Sequence, residues 1–111
     1  MNSSSEMDDL RIDPNSLALI RKILREHIPG YEVWAFGSRV HGENLKPFSD
    51  LDLVVMTEHP LTALTMVELK DAFRESELSF KVDVLDWSRT NERFRKIIRD
   101  NHCRIDPKPS D

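Results

Sequence analysis

The sequence has a single cysteine, Cys103, so no internal disulfide can form. No cysteine and histidine group shows zinc-ligand spacing, and a lone thiol suits a reducing compartment. No stretch approaches the roughly 18 consecutive apolar residues of a membrane span. Met1 to Asp9 is serine-rich and acidic with no apolar run, which argues against a secretory signal and for a cytoplasmic protein. Basic charge is not in excess: the formal net charge is -4, which leaves no broad positive face for a phosphate backbone and argues against direct nucleic-acid binding. Internal repeats are absent, and low complexity is confined to short polar ends.

What remains is enough for one hydrophobic core. A chain of 111 residues sits at the usual size of a single domain. Residues 1–10 read as a flexible N-terminal segment, 11–105 as the folded unit and 106–111 as a flexible tail. Asp13-Pro14 sets a capping carboxylate before a proline at the first helical position, and Leu17, Ile20, Leu24 and Ile28 recur at helical spacing. Pro29-Gly30 stops that helix. Tyr31 to Phe36 reads as a buried strand running into Gly37-Ser38, and Leu51 to Met56 as a second strand. Thr62 caps an amphipathic helix to Ser76 with Met66, Leu69 and Phe73 on its apolar stripe. Phe80 to Trp87 is a third strand. Thr90 with Glu92 opens a last helix, with Phe94, Ile97 and Ile98 toward the core and an end near Asn101. This order predicts an α/β (α+β) fold: a small mixed β-sheet with helices mainly on one face.

The chemistry-bearing residues cluster on the strands. In Ser49-Asp50-Leu51-Asp52-Leu53-Val54, strand alternation projects Asp50 and Asp52 to one side, about 7 Å apart at their Cα atoms, while Leu51 and Leu53 take the other. Two like charges so close repel unless a cation lies between them, and magnesium suits a few carboxylates plus phosphates and water. An Asp-x-Asp alone also fits a turn carboxylate beside an exposed edge residue. Gly37 lets the chain turn sharply and Ser38 offers donors to an anion. Asp83 interrupts the apolar run Phe80 to Leu85, where an unpaired buried carboxylate would be costly. If its strand lies beside the second, three carboxylates could serve two ions in a phosphoryl or nucleotidyl displacement, with Asp83 placed to accept a hydroxyl proton. Asp86 has the opposite strand parity, next to the turn that begins at Ser88.

Together, Trp34-Ala-Phe-Gly-Ser-Arg-Val-His-Gly42, Ser49-Asp-Leu-Asp-Leu-Val54 and Val82-Asp-Val-Leu-Asp-Trp87 resemble the minimal nucleotidyltransferases of the DNA polymerase β superfamily. The resemblance runs from the first helix to the last. It implies that Gly37 and Ser38 cradle the triphosphate of ATP, that Asp50 and Asp52 bind two Mg2+ ions, and that Asp83 completes the metal site and activates the acceptor hydroxyl. Arg39 and Ser49 fall at nucleotide-binding positions, although the loop from Arg39 to Ser49 is one residue longer than in the antitoxin-type members, which loosens their assignment.

Such minimal domains resemble the antitoxin of two-gene modules whose other product is a HEPN-domain ribonuclease toxin. The implied reaction transfers AMP from ATP to a tyrosine hydroxyl of that cognate toxin, releasing pyrophosphate. A chain this short has no room for a second domain to build the acceptor site, so a partner protein would supply it. Two alternatives stand beside this reading: a non-catalytic nucleotide-binding antitoxin that neutralises by contact, and transfer to a small hydroxylated molecule such as an aminoglycoside. Base preference, the number of nucleotides transferred and the oligomeric state, a homodimer included, are not fixed by the sequence.

Other features carry less. Histidines 27, 41, 59 and 102 lack ligand spacing. Trp34 reads as core, and Trp87 either as core or as a stacking surface. Arg89, Arg93, Arg95, Lys96 and Arg99 give the last helix a basic side that fits either solvent or a partner.

Overall fold

The computed structural model describes residues 12–37 and 50–106. The expectations for residues 1–10, Ser38, Arg39, His41, Ser49 and 107–111 lie outside them. The elements are α1 (Pro14–His27), β1 (Val33–Phe36), β2 (Leu51–Val55), α2 (Ala63–Arg74), β3 (Val82–Asp86), a 3-10 turn at Trp87–Arg89, α3 (Glu92–Asp100) and β4 (His102–Asp106).

Local chemistry sets the boundaries. The Asp13 carboxylate accepts from Ser16 N at 3.0 Å and Ser16 Oγ at 2.7 Å; these bonds hold its carboxyl below the usual range and satisfy donors that a helix start leaves open. Thr62 Oγ1 accepts from Thr65 N at 3.1 Å, as its place before α2 predicts. At α3 the cap is Asn91 rather than Thr90: Asn91 Oδ1 accepts from Phe94 N at 2.8 Å, while Thr90 Oγ1 donates to Trp87 O at 2.6 Å and closes the 3-10 turn. The turn displaced the helix start by one residue.

The sheet runs β3-β2-β1-β4, with β1 antiparallel to both β2 and β4, and β2 parallel to β3 through the α2 crossover. Strand β4 was not expected from the sequence, which assigned nothing after α3 and began the tail at 106. Only Cys103 and Ile105 mark its apolar face, and both are fully buried. Arg21 Nε ties α1 to it by donating to Ile105 O at 2.9 Å.

Alternation along four strands divides the core. Val33, Ala35, Leu51, Leu53, Val55, Val84, Cys103 and Ile105 face α1 and α2, where Ile20, Leu24, Leu69 and Phe73 complete the main core. On the other face, Phe36, Val54 and Ile98 are buried together, with Trp34, Leu85, Trp87 and Phe94 packed around them under α3. Among the described residues, two of the three helices therefore share one face and α3 covers part of the other. Ile97, expected to point inward, is 56% exposed: a helix on so small a sheet buries only a narrow stripe, and Phe94 and Ile98 occupy it.

Candidate active site

The register places the acidic residues. Asp52 is opposite Phe36 on one side and Asp83 on the other, and Phe36 is opposite His102. Asp83, Asp52, Phe36 and His102 thus form one row across the sheet on the face that carries α3. Adjacent strands lie about 4.8 Å apart, so the Asp52 and Asp83 side chains stand next to each other. Asp50 shares their parity, two residues before Asp52 and just ahead of β2. Leu51 N donates to Lys81 O at 2.8 Å and fixes this end of the β2–β3 ladder.

Gly37 closes the site over Asp52. It ends β1 at φ +91°, a backbone conformation that favours glycine, and a Cβ built there would fall 2.5 Å from Asp52 Oδ2. The chain passes so close to the carboxylate that a side chain at position 37 would have to displace it. The positive φ expected of Gly37 is present; the residues that follow it lie outside the described ones.

Electrostatics mark Asp52 as the loaded member of the row. Burial pushes its carboxyl up, and the negative charges of Asp83 and then Asp50 push it further. Asp50 and Asp83 are exposed. Among the described residues, no three acidic, histidine or cysteine side chains close into a group able to hold a metal by themselves; Asp50, Asp52 and Asp83 stand as an open row. An open row of oxygens over which negative charge accumulates suits a hard divalent cation that keeps water and phosphate ligands.

Asp86 lies elsewhere. It is 4% exposed, on the α1 and α2 face, and its oxygens accept from Thr57 Oγ1, from Leu61 N at 2.7 Å, and from Ser88 N and Oγ at 3.1 and 2.7 Å. Burial raises its carboxyl, and these hydrogen bonds outweigh that and hold it below the usual range. With its acceptors engaged, it anchors the turn after β3. The Asp-Trp-Ser spacing is the signal that could have identified this role, since a carboxylate two residues before a serine amide makes such a local bond.

The remaining candidates are structural. Trp34 stacks on His102, ring centroids 3.9 Å apart, and meets Trp87 edge-on at 5.7 Å. Trp87 carries the guanidinium groups of Arg95 and Arg99 on its ring, at 4.9 and 5.4 Å. Arg95 also donates to Trp87 O at 2.9 Å, Arg99 pairs with Glu92 at 3.2 Å, and Lys96 with Asp100 at 3.1 Å. Much of the basic side of α3 is thus spent within the fold. His102 belongs to the acidic row's register, a position invisible without β4.

Comparisons with known proteins agree with this geometry. A Haemophilus influenzae protein described as probable protein adenylyltransferase MntA is 48% identical over 99 residues, 89% of this chain and 83% of its own. The fold matches a toxin-antitoxin crystal structure with AMP-PNP at a TM-score of 0.66 and 24% identity, over 80% of this chain and 71% of that one. It also matches a complex of tri-AMPylated Shewanella oneidensis HEPN toxin with MNT antitoxin at a TM-score of 0.61 and 22% identity, over 82% and 69%. At such identities the structural likeness concerns the fold. The family model for the nucleotidyltransferase domain covers residues 17–107, and the chain belongs to that family.

Proposed function

We propose that this protein is a magnesium-dependent adenylyltransferase of the cytoplasm that transfers AMP from ATP to a tyrosine hydroxyl of a cognate HEPN-type toxin and so acts as its antitoxin. The observation that carries this reading is the pairing of Asp52 with Asp83 on parallel strands beneath the Gly37 turn. The close relative named as a protein adenylyltransferase supports the reaction type, and the neighbour that holds an AMPylated toxin supports the acceptor.

In this reading Asp50, Asp52 and Asp83 hold the metal, and Gly37 and Ser38 approach the triphosphate, with Arg39 and Ser49 beside it. Bound Mg2+ would neutralise the phosphate and carboxylate charges that otherwise oppose one another. Asp83, exposed at the end of the row, accepts the proton of the tyrosine hydroxyl. The tyrosine oxygen bonds to the α-phosphorus, the bond from that phosphorus to the oxygen bridging the α- and β-phosphates breaks, and pyrophosphate leaves.

Labelled ATP, magnesium and a purified cognate HEPN-type toxin test the reading. Label on the toxin with the wild-type protein, and none with Asp52→Ala, is expected. Equal neutralisation of the toxin by both, without label, would replace it with a purely binding antitoxin.

A further inference from the structure

Among the described residues the exposed large apolar side chains are Tyr31, Leu64, Val67 and Ile97. Two of them share a side of α2: Leu64 is 66% and Val67 53% exposed, and residues three apart on a helix are neighbours. Between this side of α2 and the end of β3 lies a hollow of ≈ 370 Å³, with Leu61, Met66, Val67 and Leu85 as its apolar walls. Charged residues line it too. Asp86 spends its oxygens on Thr57, Leu61 and Ser88, while Lys70 and Arg89 are exposed, so the apolar walls set its character.

This surface adjoins the acidic row. Lys70 lines the hollow and also a second one, of ≈ 320 Å³, that reaches Asp83. Val67 is three residues from Lys70 and Leu64 six, about 4.5 and 9 Å along the axis of α2. Asp83 is exposed and ends the row on the edge strand, whereas Gly37 closes over Asp52 on the inner side. An acceptor therefore reaches Asp83 from the β3 side of the sheet. A protein interface of ordinary size covers about 800 Å² on each partner, a patch roughly 30 Å across, so an acceptor protein seated there extends over Val67 and Leu64. The other two exposed side chains lack this continuity. Tyr31 lines a hollow with Met56, Glu58 and His59, six residues before Gly37 and about 20 Å from it along extended chain. Ile97 stands on α3, on the opposite face of the sheet from α2.

We infer that the cognate toxin seats on the side of α2 that carries Leu64 and Val67, and places a large apolar side chain in the hollow against Leu61, Met66 and Leu85 while its acceptor tyrosine lies at Asp83. This rests on the adenylyltransferase reading and specifies where its acceptor protein binds. Clustered apolar side chains left in water mark association sites, and a large side chain buried in a pocket at the centre of an interface supplies much of the binding energy. No group is transferred at this surface. It holds the tyrosine hydroxyl near Asp83, so it acts on KM for the toxin rather than on the chemical step.

Calorimetric titration of a purified cognate HEPN-type toxin into the wild-type chain, the double variant L64E/V67E and the single variant I97E tests this. The double variant is expected to bind the toxin at least about tenfold more weakly, with its Tm and its affinity for ATP with magnesium unchanged. L64A/V67A, which removes the apolar surface without adding charge, should lose affinity in the same direction. I97E should bind as the wild type does. In steady-state transfer L64E/V67E should raise KM for the toxin at least about tenfold and keep kcat. Wild-type affinity in both double variants, an equal loss in I97E or a lowered kcat at unchanged KM would each overturn the inference. Weakened binding by the double variants, with no label on the toxin even from the wild type, would instead remove the adenylyltransferase reading and leave the surface. Label from the wild type, with toxin affinity unchanged in both double variants, would do the reverse.

Discussion

The backbone at Gly37 lies hard against the Asp52 carboxylate, so close that an added Cβ would sit 2.5 Å from Asp52 Oδ2. Gly37→Ala therefore has two costs of different kinds. Left-handed backbone at a residue with a side chain costs on the order of 1 kcal/mol of stability. The clash is met by the far end of a flexible side chain, so it is relieved by moving the carboxylate. The expected result is a folded protein with a modestly lowered Tm and a loss of AMP transfer of at least about a hundredfold, since small misplacements at a reacting centre are that expensive. Thermal melts beside a single-turnover assay separate the two effects.

Asp52 is held against its own preference for the neutral form, by burial and by Asp83 and Asp50. An acid whose folded pKa is raised makes the folded state bind more protons, so between its ordinary and raised values stability falls as pH rises. Asp52→Asn removes that opposition. At neutral pH without divalent cations the variant should melt higher than the wild type, by roughly 2–5 °C for a domain of this size. Added magnesium should stabilise the wild type and not the variant, and transfer should be lost. A variant that melts lower in the absence of metal would contradict the electrostatic account of the row.

Asp83 and Asp86 give opposite outcomes despite their proximity in sequence. Asp83→Asn changes an exposed side chain and should leave Tm within about 2 °C, as surface changes do, while abolishing transfer. Asp86→Asn leaves a buried hub with mismatched donors at Thr57, Leu61 and Ser88, and should cost about 2–4 kcal/mol. The sign with pH follows from its lowered carboxyl: the stabilisation is fully present above the ordinary value of 3.8 and disappears as pH falls through the lowered folded value. Acid denaturation of the wild type should therefore steepen below about pH 4, and that component should be missing in Asp86→Asn. Chemical denaturation at several pH values measures it.

These contrasts show what could be read from the residues. The helix caps at Asp13 and Thr62, the amphipathic stripes and the three apolar strands are local patterns, and the alternation that sends Asp83 and Asp86 to opposite faces is local too. Strand β4 was missed because only Cys103 and Ile105 mark its buried side and its partner, β1, lies at the other end of the chain. The contact of Gly37 with Asp52 joins residues on two strands through a fold not yet built, so no spacing rule reports it.

The acidic face depends on a small second core, which makes it the sensitive part of the fold. α3 is fastened by Ile98, fully buried, and by Phe94, whose ring meets Phe36 edge-on at 5.7 Å. Phe36 is the register neighbour of Asp52, so a loosened α3 is transmitted directly to the row of carboxylates. Ile98→Ala should cost about 3 kcal/mol, within the usual range for a buried isoleucine, and Ile98→Val about 1 kcal/mol. Because the main core beneath α1 and α2 is untouched, the alanine variant should lose protection first in the amides of α3, and transfer should decline at temperatures below the global melt. Hydrogen exchange and activity measured over the same temperature series check this order; a single coincident transition would mean that the two cores unfold together.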